Sequence, residues 1–135
     1  METTRVGIAI VEQEGRFLVG VRRSDQVLAG KAEFPGGKCE PGETAQDCAA
    51  RECLEETGVF VVAEQLLEHA RHEYEHGWVD LEFWLCRAAS DEASELEDTV
   101  SPIGGFRWCE WSELATLDFP DANRRVIERL VAESR

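Results

Sequence analysis

One stretch constrains this chain more than any other. Residues 34–59, F-P-G-G-K-C-E-P-G-E-T-A-Q-D-C-A-A-R-E-C-L-E-E-T-G-V, read as a glycine turn that enters a helix carrying Glu52, Glu55 and Glu56. At about 100° per residue, Glu56 lies roughly 40° to one side of Glu52 and Glu55 roughly 60° to the other, so the three carboxylates share a face. Like charges at these spacings destabilise a helix by a few tenths of a kcal/mol per pair, and by more if the face is covered. Toward the helix start the same face continues as Ala45, Cys48 and Ala49, whose small size points to close packing, so the acids are expected to be half buried. A divalent cation resolves the conflict. Hard oxygen ligands on a rigid element suit Mg²⁺ or Mn²⁺, which also bridge phosphate oxygens. The competing reading is an exposed helix of solvated glutamates with Arg51 pairing locally, and the flanking glycines weigh against it.

Those glycines define the helix entry. Pro35-Gly36-Gly37 is a turn at which backbone can approach a ligand closely, because glycine has no Cβ. Pro41-Gly42 makes a second turn, Thr44 with Asp47 resembles a capping box, and Gly58 stops the helix.

Gly37, five residues, Glu43, seven residues, then Arg51-Glu52-Cys53-Leu54-Glu55-Glu56-Thr57-Gly58-Val59 resembles the Nudix box of the Nudix hydrolases. Cys53 departs from the usual aliphatic residue, and a buried cysteine serves as a small hydrophobe. The likeness covers most of the chain, from about residue 6 to residue 130. Within the family it is greatest to the MutT-type pyrophosphohydrolases. A-E-F-P-G-G-K at 32–38 is similar to their strand entering the box, and D-F-P-D-A-N at 118–123 to the segment that sets an asparagine, here Asn123, against an oxidised guanine.

The resemblance implies that Glu52, Glu55, Glu56 and the Gly36 carbonyl hold Mg²⁺, with Mn²⁺ as a substitute, while Glu43 and Arg51 hold the loop against the helix. Glu52 is the first choice of general base and a loop acid the second. Arg22 or Arg23 reaches the substrate phosphates, or both are solvated strand-end charges. Phe34 and Lys38 flank the glycines on the substrate side, with Lys38 meeting phosphate as a point charge. Asn123 offers a donor and an acceptor to a purine edge, or bonds local backbone at a helix start if Asp121 does not cap it. Many relatives keep a further acid six residues before the strand tryptophan. Here that position is Pro102 before Trp108, and Glu97 or Asp98 supplies the acid only by a different loop path.

At 135 residues one domain, 1–135, is expected, able to bury roughly two thirds of its unfolded surface. Twenty-eight acids against 14 bases give a net charge of −14, which counts against a nucleic-acid polymer or an anionic membrane as partner and leaves a small phosphate ester screened by cations. The chain has no apolar run of the ~20 residues a membrane span needs, and residues 1–5 lack the basic start of a signal peptide, so cytoplasmic residence is expected. Cys39, Cys48, Cys53, Cys86 and Cys109 are odd in number with no C-x-x-C pair, which indicates reduced thiols filling space. A monomer or a homodimer is equally compatible.

Apolar runs at 6–11 and 17–21 read as two strands joined by a tight turn. After the box helix, 59–63 and 66–67 look extended, and 72–87 looks like two strands around His76-Gly77. His69, His72 and His76 would share a helical face, but Tyr74, Val79 and Gly77 argue for strand, which points His69 and His72 opposite ways and disfavours a histidine metal site. The acidic stretch 90–105 reads as a surface loop, 106–111 as a strand, Ser112 as the start of a short helical turn, and Asp121 as the cap of a last helix to about Ser134 with an apolar stripe of Val126, Ile127, Leu130 and Val131. This order predicts an α/β fold, an α/β/α sandwich with a mixed central sheet and helices on both faces. The expected function is conversion of a nucleoside triphosphate, preferentially 8-oxo-dGTP, to monophosphate and pyrophosphate. The alternatives are another nucleotide, such as a cytidine triphosphate or ADP-ribose, and a Nudix-like module that binds without hydrolysis.

Overall fold

The computed structural model describes residues 2–22, 24, 29–75, 77–88 and 104–134. Its sheet is organised around β1 (Glu2–Gln13), which pairs in parallel with β6 (Gly77–Ala88) from Glu2↔Gly77 to Val11↔Cys86. β5 (Val61–Tyr74) lies antiparallel on the far side of β6. Two strands share the other edge of β1: β4 (Gly36–Lys38) along Val6 to Ile8, and β2 (Arg16–Val21) at Glu12↔Phe17 and Gln13↔Arg16. β2 in turn pairs antiparallel with β3 (Ala32–Glu33) and β7 (Arg107–Glu110). The sheet is mixed, as predicted.

The two-residue period of the strands builds a core on each face. Ile10 of β1, Phe17 and Val19 of β2 and Phe83 of β6 point to one side, where they meet α2 (Trp111–Leu114) through Leu114 and α3 (Arg124–Ser134) through Val126 and Leu130. Ala9, Val11, Leu18 and Cys86 point to the other and pack on Ala49 and Cys53 of α1 (Ala45–Thr57). Helices on both faces of a mixed sheet make the expected α/β/α sandwich. Among the described residues, no helix is long and apolar enough to cross a membrane. All five cysteines are free thiols.

Three local expectations are corrected. β5 is a single strand through the interruption expected at residues 64–65, because two register shifts, between Ala63 and Gln65 and between Leu66 and Glu68, absorb the irregularity. These bulges re-aim the strand: Val61 and Ala63 pack on the α1 side, Leu67 on the α3 side. Side chains meet this edge, since Gln46 Nε2 donates to the Ala63 carbonyl at 2.8 Å and Arg129 donates to the Leu67 carbonyl. Next, α2 starts at Trp111 and not Ser112, with Glu113 accepting from the Glu110 N–H at 3.3 Å. Finally, Asp121 does not cap the last helix. It opens a 3₁₀ turn, Asp121–Asn123, without a side-chain cap bond, and its carboxylate lies 3.8 Å from Arg124. Pro120 ahead of that turn fixes an extended backbone, φ −58° and ψ 151°, that sets the chain into the tighter winding.

Candidate active site

α1 is placed by small residues. A Cβ added at Gly7 of β1 would sit 2.4 Å from the Ala45 carbonyl and 2.8 Å from the Ala49 nitrogen, so the helix rests directly on the strand. Ala45, Cys48 and Ala49 are buried there, the close packing expected of that face. The helix begins where Thr44 Oγ1 accepts from the Asp47 N–H at 3.0 Å and ends where Gly58, at φ 78°, donates to the Leu54 carbonyl. Cys53 fills its apolar position with no exposure.

Arg51 is the hub of the face above. Its Nε and Nη2 reach the two Glu43 carboxylate oxygens at 2.7 and 3.0 Å, a bidentate pair. Its Nη1 donates to Glu52 and Glu55, both at 3.1 Å, and its Nη2 also to the Lys38 carbonyl at 3.2 Å. Glu43 is further fixed by the Glu40 N–H at 2.9 Å, while Arg5 donates to its backbone carbonyl at 2.8 Å. The Arg51 bond, then the Glu40 N–H, hold the Glu43 carboxyl down to about 2. The guanidinium is itself driven further toward its charged form, chiefly by Glu43.

Beyond the reach of that arginine, Glu56 Oε1 accepts from the Gly36 N–H at 3.1 Å. Burial pushes its carboxyl up to about 7, against the opposing pull of that N–H and with help from the charges of Glu52 and Glu33. Glu52 packs on Gly37 so tightly that a Cβ there would meet its carboxylate carbon at 2.5 Å. Glu55, in contrast, is 57% exposed; of the three acids, only Glu52 and Glu56 have the half-buried setting expected. Among the described residues no three acid, histidine or cysteine groups converge as a finished cation site. The donor set nonetheless fits a hard divalent cation: carboxylates within two turns of one helix, a backbone carbonyl at a strand end, and one carboxyl kept near neutrality by desolvation and like charge.

The other predicted residues divide by location. Arg22, at the end of β2, lies 3.2 Å from Glu33 of β3. Lys38 is exposed at the end of β4. Phe34 is buried and stacked on Phe119, ring centroids 4.9 Å apart at 24°. It belongs to the core beneath the 118–123 segment, with Phe119 as the outer ring of the pair. Asn123 is buried in the 3₁₀ turn, where its Nδ2 donates to the Pro120 carbonyl at 3.3 Å. Arg23, His76, Glu97, Asp98 and Pro102 lie outside the described residues.

Sequence reasoning missed Gly7, Arg5, Glu33 and Gly104 as parts of this site. Gly104, at φ 69°, brings its backbone against the Glu56 carbonyl, 2.4 Å from where a Cβ would stand. An isolated glycine inside an apolar strand pattern, as at Gly7, is a signal of close backbone approach. Nothing in the local pattern distinguishes Arg5 or Glu33 from solvated charges.

Comparison with known proteins agrees with this geometry. A family profile described as NUDIX domain matches residues 6–129. The 8-oxo-dGTP diphosphatase of Escherichia coli (strain K12) is 33% identical over 134 residues, 96% of this chain and 98% of that protein. The 8-oxo-dGTP diphosphatase of Haemophilus influenzae is 32% identical over 131 residues, 96% and 93% of the two chains. The crystal structure of a MutT protein from Methanosarcina mazei Go1 superposes with a TM-score of 0.76 at 24% identity, covering 98% of this chain and 96% of that one. With the profile spanning nearly the whole chain and the acidic helix intact, the chain belongs to the Nudix hydrolase family.

Proposed function

We propose that this enzyme hydrolyses nucleoside triphosphates to monophosphate and pyrophosphate and prefers 8-oxo-dGTP. The observation that carries the reading is the acidic face of α1, intact and tied by Arg51 to the loop that faces it. Two relatives alike over nearly the full chain are named 8-oxo-dGTP diphosphatases, which supports the choice of substrate.

In this reading Glu52, Glu55, Glu56 and the Gly36 carbonyl hold Mg²⁺, or Mn²⁺ in its place. A divalent cation, when bound, neutralises phosphate charge and acidifies water. Arg22, Arg23 and Lys38 bring positive charge to the triphosphate of a chain that otherwise repels it. Water attacks phosphorus, its oxygen forms the new P–O bond, the bond to the departing pyrophosphate breaks, and Glu52 takes the proton. Glu97 or Asp98 is the second choice for that base. Arg51 and Glu43 keep β4 and α1 in register and touch no reacting atom.

Asn123 selects the base. With one amide hydrogen on Pro120, its carbonyl and second amide hydrogen serve a purine edge that carries a carbonyl beside an N–H. The Phe119 ring, backed by Phe34, supplies the adjacent apolar wall. Steady-state turnover with Mg²⁺ over 8-oxo-dGTP, dGTP, CTP and ADP-ribose tests this. Equal kcat/KM for dGTP and 8-oxo-dGTP would end the preference, and no phosphoanhydride cleavage of any of them would end the hydrolase reading.

A further inference from the structure

Cys39 and Cys48 meet where β4 passes α1. Gly37 lies against the Glu52 carboxylate; two residues on along the strand and one turn back along the helix, Cys39 faces Cys48. The Cys39 N–H continues the ladder by donating to the Arg5 carbonyl at 2.8 Å, which puts its side chain on the same side of the strand as Gly37, toward α1. Cys48 Sγ also donates to the Gly37 carbonyl at 3.2 Å and takes a contact from Arg51 Nη2 at 3.9 Å. Cys39 is partly exposed, whereas Cys48, Cys53, Cys86 and Cys109 are buried. One thiol of the pair therefore meets solvent and the other touches the groups that set the register of loop and helix.

We propose that Cys39 and Cys48 are a reversible oxidation site, closed to a disulfide by peroxide, and that closure lowers turnover at the neighbouring acidic face. Hydrogen peroxide converts the Cys39 thiol to a sulfenic acid and releases one water. The Cys48 sulfur then bonds to the Cys39 sulfur, and the sulfenic hydroxyl leaves with the Cys48 proton as a second water. Two thiols and one peroxide thus give one disulfide and two waters, and a dithiol reductant reverses the step by exchange. Closing the bond draws Cys48 Sγ off the Gly37 carbonyl and away from Arg51. Both contacts help place Glu52, Gly37 through its packing and Arg51 through its Nη1. The change in turnover rests on the hydrolase reading above, but the cross-link does not.

The test treats reduced full-length protein with hydrogen peroxide, alkylates it with iodoacetamide and digests it for mass spectrometry. The expected product joins the Cys39 and Cys48 peptides, while Cys53, Cys86 and Cys109 alkylate only after denaturation. Hydrolysis of 8-oxo-dGTP falls roughly tenfold, the effect of moving a positioned group by a fraction of an ångström, and dithiothreitol restores it. Cys39→Ser keeps the reduced rate and resists peroxide; Cys39→Ala serves if the serine variant folds poorly. Cys39 recovered as a sulfinic acid with Cys48 still a thiol overturns the proposal. So does a cross-link that leaves turnover unchanged, or a Cys39→Ser enzyme that peroxide inhibits as strongly as the parent. If the reduced protein cleaves none of the nucleotides, the hydrolase reading alone fails, and the cross-linked peptide still decides the pairing.

Discussion

Replacing Gly37 by alanine should separate the chemistry of this site from its stability. The new methyl would stand 2.5 Å from the Glu52 carboxylate carbon and 2.6 and 2.8 Å from its oxygens; ordinary contact begins at 3.4 Å, so the carboxylate must retreat by about 0.9 Å. Gly37 is not among the residues at positive φ, so its backbone accepts a side chain. What moves is the end of a flexible glutamate, and the loss of a glycine's unfolded-state freedom stabilises by about 0.4–1 kcal/mol. The net change in stability should therefore stay within about 1 kcal/mol. With Glu52 in its proposed role, displacing its carboxylate by about an ångström should cost on the order of 10²-fold in rate, about 2.7 kcal/mol in transition-state free energy.

Gly7→Ala makes the contrast, because its methyl would meet backbone, the Ala45 carbonyl at 2.4 Å and the Ala49 nitrogen at 2.8 Å. Here α1 must lift from β1, which should cost about 1–3 kcal/mol and lower Tm by roughly 4 °C per kcal/mol. Thermal unfolding and kcat/KM at saturating Mg²⁺, measured on both variants, decide the matter. A Gly37→Ala protein that turns over like the parent, or one that melts as early as Gly7→Ala while keeping its rate, would refute the placement of Glu52.

Further outcomes follow from individual side chains. Glu56→Gln should leave the fold intact and cut turnover on the order of a hundredfold or more, since a neutral amide is a poor replacement for a carboxylate in a hard-cation site; unchanged kcat would remove Glu56 from it. Asn123→Ala should erase much of the preference for 8-oxo-dGTP over dGTP, a discrimination of roughly 1–3 kcal/mol, and leave dGTP hydrolysis nearly unaltered, read as paired kcat/KM values. In the metal-free protein the Glu56 carboxyl sits at about 7 against an ordinary 4.5. The neutral acid is favoured in the folded state, so its contribution is fully present below 4.5 and is lost as pH rises through 7. Denaturant melts without metal should show the protein less stable at pH 8 than at pH 6, by at most about 1 kcal/mol after solvent screening, and Mn²⁺ titrations by calorimetry should show tighter binding with less proton release at pH 8 than at pH 6.

Local chemistry made much of this legible in the sequence. The helix and its two ends follow from Thr44, Gly58 and an apolar stripe of small residues, and those needed no tertiary information. The sandwich follows from alternation in β1, β2 and β6, whose apolar residues supply both faces. What escaped was set by contacts distant in the chain. Nothing local at residues 64–67 announces two bulges, because they answer to Leu85 and Phe83 across the ladder. The outward turn of Glu55 depends on where Arg51 lies between Glu43 and Glu52, a geometry fixed only once the loop folds onto the helix. Gly7 looked like one more small residue in a strand until α1 was laid across it.

Burial at one carboxylate and the reach of Arg51 to the other explain why neighbouring glutamates behave so differently. Glu43 receives two charge-assisted bonds from it and titrates near 2; Glu56, five residues beyond it on the helix, receives one backbone N–H and titrates near 7. Two carboxylates driven apart in this way take different roles. Glu43, held down to about 2, is ionised at neutral pH and serves as a fixed anchor for the guanidinium. Glu56 is raised first by burial, lies beyond the arginine's compensation and sits beside the charges of Glu52 and Glu33, so at neutral pH it is poised to exchange its proton for another positive charge. A second fixed arginine could have neutralised it. The sequence instead leaves the deficit at the glycine turn, where Gly36 and Gly37 present backbone without side chains. In the proposed hydrolase a deficit of that kind, on an element held by packing against Gly7, would be relieved by a small cation that accompanies a phosphate ester, which would reconcile net negative charge with an anionic substrate.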